Sequence, residues 1–263
     1  MDVQTARELA RLTGDFYART CDSFAATRER GWEGWRRVVA ESGLLGSSNA
    51  TPRTLEVLDL ACGNQRFARY LGEELAGVRE APLVRVHAFD SCDELARLGR
   101  TGSVDVRYAH LDITGALFEG GDLARLMGVG GCDLCVCFGF MHHLALREHR
   151  ARVLEALVDC ARPGGMVAVS FWQLSHSARL LAKAQALTEA AAPGLGLAGL
   201  GRGNYLLGWQ DRTDVVRYCH DFCEAELDDL AAAVAPRASE VARFSADGAS
   251  GNLNRYLLLC RNG

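Results

Sequence analysis

The chain has 263 residues, 49% of them apolar and 24% charged, enough for one well-buried α/β core with additions or at most two small cores. Its formal charge is −4, so the overall balance lacks the basic footprint of a nucleic-acid binder and leaves only a local patch for such a role. The opening "MDVQTARELARLTGDF" has no apolar leader core, and no later stretch reaches the length of a membrane span, which points to a cytoplasmic protein. The ten cysteines sit mostly in apolar runs such as "CDLCVCFGF" and read as free thiols.

Residues 2–42 carry apolar side chains at helical spacing (Leu9, Leu12, Phe16, Phe24, then Trp35, Val38 and Val39), which predicts two amphipathic helices. "SGLLGSSNATPR" breaks the pattern, and residues 1–50 are assigned to a helical cap on a domain spanning 51–263. From Thr54 onward "LEVLDL", "LVRVHAF", "VDVRYAHL", "CDLCVCFGF" and "MVAVSFW" read as strands, separated by helices around 66–75, 92–99, 121–127 and 146–161. That alternation predicts an α/β fold whose parallel sheet is covered by helices on both faces. The stripe "LLAKAQALTEAAA" is expected to pack a helix onto that sheet. "APGLGLAGLGRGNYLLGW" is glycine-rich and ends in aromatics, and reads either as a surface linker or as a substrate lid within an insertion at 193–223. The helix "EAELDDLAAAVA" is followed by "SEVARFSA" and "NLNRYLLLCR", joined by "DGASG", a pair expected to close the sheet with one antiparallel strand.

In open α/β sheets ligands bind at the carboxyl ends of strands, where the connection order reverses. "LDLACGNQRF" lies there, with Asp59 suited to hold the turn and Gly63 suited to let the backbone approach a ligand. It is not the Gly-x-Gly-x-x-Gly fingerprint of dinucleotide sites. Asp90, closing the second strand, has the chemistry to accept from two ribose hydroxyls, and Asp112, closing the third, can accept from an exocyclic adenine amine. Each alone is an ordinary turn residue or helix cap. Their recurrence at three consecutive strand ends points to one ligand site.

As a set, "VLDLACGNQ", "HAFD", "HLDI", "CFGFMHHL" and "ARPGGMVAVSFW" resemble the motifs of class I S-adenosylmethionine-dependent methyltransferases, over residues 54–261. The resemblance implies a Rossmann-like seven-stranded, mostly parallel sheet and S-adenosylmethionine as cofactor. It also implies cofactor contacts from Asp59, Ala61, Gly63, Asp90, Ser91, Asp112, Ile113 and Phe138. Gln65 departs from the family's usual Gly-x-Gly. At a positive φ a glutamine costs roughly 1 kcal/mol, and here it is expected to crowd the methionine end of the cofactor.

The late segment "GNYLLGWQDRTDVVRYCHDFCEAEL" offers Tyr205, Trp209, Arg217, Tyr218 and His220. Arg217 suits a two-pronged grip on a carboxylate and the rings suit stacking, although an ordinary edge strand would carry the same residues. This segment and the N-terminal "FYARTCDSFAATRERGWEGW" resemble one branch of the family, the tRNA wobble-uridine carboxymethyl methyltransferases. Tyr17, Phe24, Thr27, Arg28 and Trp32 or Trp35 match the branch's N-terminal pattern. The similarity implies esterification of a carboxymethyl acid on tRNA, an acceptor already anionic, and a small activating protein as a further partner. On this basis Tyr17, Arg28, Tyr205 and Trp209 are assigned to the acceptor, and His142, Arg217, Tyr218 and His220 to the catalytic set; of the pair His142 and His143 after the fourth strand, His142 is preferred over His143 as base or polar clamp, an ordinary helix-start histidine being the equal alternative.

Arginines 28, 30, 36 and 37 beside Trp32 and Trp35 suit phosphate contacts and base stacking, or equally a helix with exposed arginines over an aromatic inner face. Cys132, Cys135, Cys137, His142 and His143 are zinc-ligand types, but a strand at 132–138 would send Cys132 and Cys135 to opposite faces, and no metal is expected. Two rival functions stay open. One is methylation of a small acid or phenol, motivated by the acidic balance and the late aromatics. The other is a cofactor-binding protein without catalysis, motivated by Gln65.

Overall fold

A computed structural model describes residues 1–44, 54–78, 81–197, 199–210 and 212–263. The expected break at 42–53 and the assigned boundary at residue 50 fall largely at 45–53, outside the described residues. Two helices open the chain, α1 (Val3–Ala26) and α2 (Glu33–Ser42). The Asp2 carboxylate caps α1 by accepting from the Thr5 N–H at 2.9 Å. There follow β1 (Leu55–Leu60), α3 (Arg66–Ala76), β2 (Val84–Asp90), α4 (Asp93–Arg97), β3 (Asp105–His110), α5 (Ile113–Phe118), α6 (Leu123–Met127), β4 (Cys132–Cys137), α7 (Arg147–Cys160) and β5 (Ala161–Trp172). The chain ends with α8 (Ala178–Ala191), β6 (Asn204–Trp209), β7 (Arg212–His220), α9 (Glu224–Val234), β8 (Ala238–Ala246) and β9 (Asn254–Arg261).

The main sheet has seven strands in the order β3-β2-β1-β4-β5-β9-β8. β1 to β5 run parallel, and β9 alone is antiparallel, pairing with β5 on one side and β8 on the other. The central strands are apolar on both faces because both are covered. Leu58, Leu60 and Val169 face a core with α7 and α9, while Val57, Val86 and Ala168 face one built with α2 and α3. α5 has no counterpart in the sequence expectation. Its six residues are too few to show a period, and what starts it is the Asp112 carboxylate, which accepts from the Gly115 N–H at 2.9 Å.

Three expectations are corrected. β6 and β7 form a separate two-stranded antiparallel sheet within 193–223 rather than a simple linker. α8 packs on that ribbon and not on the main sheet, with Ala184 in one small core with Leu207 and Cys219. Cys132 and Cys135 face the same core, because the β4–β5 register shifts between Cys132 and Leu134 and resets the alternation. All ten cysteines are unpaired. Among the described residues no helix is long and apolar enough to cross a membrane.

Candidate active site

At the carboxyl ends of β1 to β4 lies a cavity of about 550 Å³, walled on its outer side by α1 and the turn that follows it. The strand order reverses between β1 and β4, so the loops after these strands diverge and leave the opening.

The turn after β1 forms the floor. Ala61, Gly63 and Gln65 have φ values of 61°, 54° and 55°, so left-handed residues alternate along it. A Cβ on Gly63 would lie 3.6 Å from Leu95, ordinary contact, so it is the backbone angle and not lack of room that favours glycine there. Gln65 takes the same angle without entering the cavity. Its side chain is buried toward α4, where Nε2 donates to the Ala96 carbonyl at 3.1 Å. The expectation that it crowds a ligand is therefore corrected.

Asp59 is 2% exposed, and its Oδ2 has no hydrogen-bond partner among the described residues. Burial, then the nearby Asp90 charge, pushes its carboxyl up to about 7 against the opposing pull of Arg66. Asp90 accepts from the Gly63 N–H at 2.8 Å on one oxygen and from the Cys92 N–H at 2.9 Å on the other, tying two loops together. Each oxygen keeps a lone pair for a ligand hydroxyl. Ala61, Ser91, Asp112, Ile113 and Phe138 line the same cavity, so all eight residues assigned to the cofactor meet in one place.

The opposite wall is basic and aromatic. Arg217, from β7, is 5% exposed, and its Nε and one terminal nitrogen have no hydrogen-bond partner. Its guanidinium lies 4.6 Å from the Phe16 ring centre and 5.6 Å from that of Trp172. Arg28 lies 4.4 Å above Phe24 and 5.5 Å from Trp209, and burial and then Arg217 lower its pKa. Arg66 sits 4.7 Å over Trp32, its pKa lowered to about 9 by burial and then by Arg28. None of the three makes a salt bridge among the described residues. Aromatic faces hold these cations electrostatically; Arg28 donates to Thr27 at 3.1 Å and Arg66 to the Arg30 carbonyl at 3.4 Å, while the two unpartnered nitrogens of Arg217 stay available to an anion.

His142 is stacked on Trp172 at 4.0 Å, with Nδ1 buried and unpartnered, and burial holds the imidazole neutral. Tyr17 contacts His143, their O and Nε2 being 2.9 Å apart. His142, His143 and Cys219 bring ligand-type atoms within 4.8 Å of one another. Both His143 nitrogens are already engaged, by Tyr17 and by the Tyr218 carbonyl, and Arg217 adjoins the Cys219 thiol, so the trio is better suited to hydrogen bonding than to holding a cation.

Four assigned residues lie outside the cavity lining. Along β7 the side chains alternate, which sends Arg217 and Cys219 one way and Tyr218 and His220 the other. Tyr218 is buried against α1 and donates to Asn204, while His220 is held by Glu226 at 2.7 Å and Asn204 at 3.1 Å. Tyr205 shares the Arg217 face but packs in the core beneath α8. Trp209 donates to Ser23 at 2.9 Å and backs Arg28 from behind. Of the N-terminal aromatics, Trp32 and Trp35 both border the cavity, but Trp35 is 2% exposed and packs among Phe67, Tyr70 and Phe138, which closes its faces to base stacking. His143, the less favoured of the histidine pair, also lines the cavity, as do Trp172 and Arg66, which were not assigned from the sequence. Trp172 ends a quoted strand and Arg66 opens the helix after the floor turn, so position at an element's end was the available signal.

This strand order and cavity belong to the class I S-adenosylmethionine-dependent methyltransferase fold. A solved structure of the S-adenosylmethionine-bound amino pentose methyltransferase CalS10 from Micromonospora echinaspora superimposes with a TM-score of 0.53 over 92% of this chain and 96% of that one, at 14% identity. In sequence, the chain is 25% identical over 180 residues to the tRNA (carboxymethyluridine(34)-5-O)-methyltransferase ALKBH8 of Macaca fascicularis, covering 66% of this chain and 22% of that protein. It is 26% identical over 212 residues, 80% of each chain, to an Encephalitozoon cuniculi protein whose name marks it as a candidate methyltransferase. No protein-family model matches the chain.

Proposed function

We propose that the chain is an S-adenosylmethionine-dependent methyltransferase whose acceptor is a carboxylate, carried by a modified wobble uridine of tRNA. The observation that carries this reading is Arg217, a buried guanidinium facing the cavity with unsatisfied N–H groups and no carboxylate partner among the described residues. A buried charge of this kind needs a partner, and a ligand anion supplies one. The fit to the cofactor rests on the floor: the orphaned Asp59 oxygen suits an ammonium or sulfonium charge, and Asp90 and Asp112 present acceptors to hydroxyl and amine groups.

The bound cofactor would supply a methyl carbon on a positively charged sulfur, open to in-line displacement. The protein's part is alignment. Arg217 and Arg28 fix the acceptor carboxylate, and the surrounding rings exclude water that would otherwise solvate it. An ionised carboxylate has no proton to lose, so no side chain has to act as base. His142, kept neutral by burial, serves as a polar wall rather than a proton acceptor. Support for tRNA comes from the activity named for the macaque relative and from Arg28, which lines the cavity.

The test supplies labelled S-adenosylmethionine with bulk tRNA and maps the label by nucleoside digestion. A base-labile methyl ester on a wobble uridine is expected, and it should be absent with Arg217→Ala. Label on small acids or phenols but not on tRNA would favour the second reading, a small-molecule methyltransferase. The net charge of −4 favours that alternative. The reading as a non-catalytic binder loses its motive, since Gln65 turns away from the cavity.

A further inference from the structure

Tyr17 stands between the two poles of the cavity: the charged groups acting on it include Arg217 and Arg28 from the basic wall and Asp90 from the floor. Its hydroxyl oxygen lies 2.9 Å from Nε2 of His143, and Nδ1 of His143 lies 2.7 Å from the backbone carbonyl of Tyr218.

These two contacts fix every proton in the chain. A carbonyl oxygen only accepts, so Nδ1 carries the imidazole hydrogen. Burial, with Arg217 adding to it, takes the His143 pKa down to about 3, so the ring is neutral and Nε2 has a bare lone pair. The Tyr17 hydroxyl is therefore the donor to Nε2. A phenol has one hydrogen, and with that hydrogen turned to His143 its oxygen shows only lone pairs to the rest of the cavity.

We propose that His143 is a positioning residue that makes the Tyr17 oxygen an acceptor only, and that this oxygen recognises the electron-poor methyl group of the bound sulfonium. The inference rests on the proposed function. An acceptor-only oxygen repels a carboxylate, which separates Tyr17 from the Arg217 and Arg28 clamp. It attracts a polarised C–H next to a positive sulfur, and the demethylated product offers neither the charge nor the methyl. Tyr17 would thus favour S-adenosylmethionine over S-adenosylhomocysteine.

Calorimetric titration of both ligands into wild type, Tyr17→Phe, His143→Leu and the double variant tests this without any turnover. The expected result is that the preference for S-adenosylmethionine falls about twofold to fivefold in either single variant, and no further in the double. His143→Gln, which keeps an acceptor and a donor at similar reach, should restore most of the preference. It also carries the test if the leucine variant fails to fold. Equal weakening of both ligands, an unchanged preference, or additive losses would overturn the proposal while leaving the methyltransferase reading intact. Wild type that binds neither ligand would remove both.

Discussion

Gln65 holds a left-handed backbone angle that glycine would take freely, and it compensates by burying its amide against the Ala96 carbonyl. Because the side chain points away from the floor, Gln65→Gly should change S-adenosylmethionine affinity by less than about twofold in calorimetry, the strain of roughly 1 kcal/mol being a matter for stability and not for the ligand. Asp59 is different, since burial pushes its carboxyl up to about 7 and it lines the cavity. The ionised form attracts a cationic ligand and the protonated form does not. Affinity should therefore rise with pH through about 7, by at most about tenfold per pH unit, and level off above it. Asp59→Asn should flatten that profile, and a slope that survives the substitution would move the titration to Asp90 or elsewhere. At this scale the sequence was most legible where an acid ended a strand, because a strand's end fixes where its last side chain sits. It was least legible for Tyr218 and His220, which needed the parity of β7: Arg217 reaches the cavity, and the even-numbered side chains point to the opposite face.

Among the elements, the β6–β7 ribbon builds the basic wall, since it delivers Arg217 between α1 and the rest of the cavity wall. Its strands were visible in outline, but a single run of residues cannot say whether a strand joins the main sheet or pairs only with its neighbour. The aromatic backing of Arg217 suits a flat, delocalised cation. Arg217→Lys should accordingly raise KM for the acceptor on the order of tenfold while calorimetric affinity for the cofactor stays unchanged. Loss of cofactor affinity with the acceptor KM intact would place Arg217 on the other side of the cavity's chemistry. The same strand parity that misdirected two residues here also misplaced Cys135, where one register shift turned the side chain over.

For the whole molecule, the alternation of strands and helices and the late hairpin predicted the sheet, including the single antiparallel strand, because each rests on a period of two or on turn residues. What the pattern could not supply was how the N-terminal helices dock, which depends on contacts between the chain's two ends. Gly34 of α2 packs so closely on Tyr256 of β9 that an added methyl group would overlap the ring. The Gly34 N–H donates to Asp247 at 3.0 Å, and the same carboxylate accepts from Tyr256 at 2.6 Å and from Asn254 at 2.8 Å. Gly34→Ala should cost about 1–3 kcal/mol, read as a lowered urea midpoint with an unchanged slope.

That join has a consequence for the order in which the protein is made. The ribosome releases α2 well before Asp247, Asn254 and Tyr256, so α2 waits for β8 and β9 before it can seat. Without the last hairpin the chain could form β1 to β5 and present its aspartates, yet α2 and its Trp35 would lack their seat beside them. The site is thereby assembled from distant parts of the chain: α2 gains its seat only when β8 and β9 are in place.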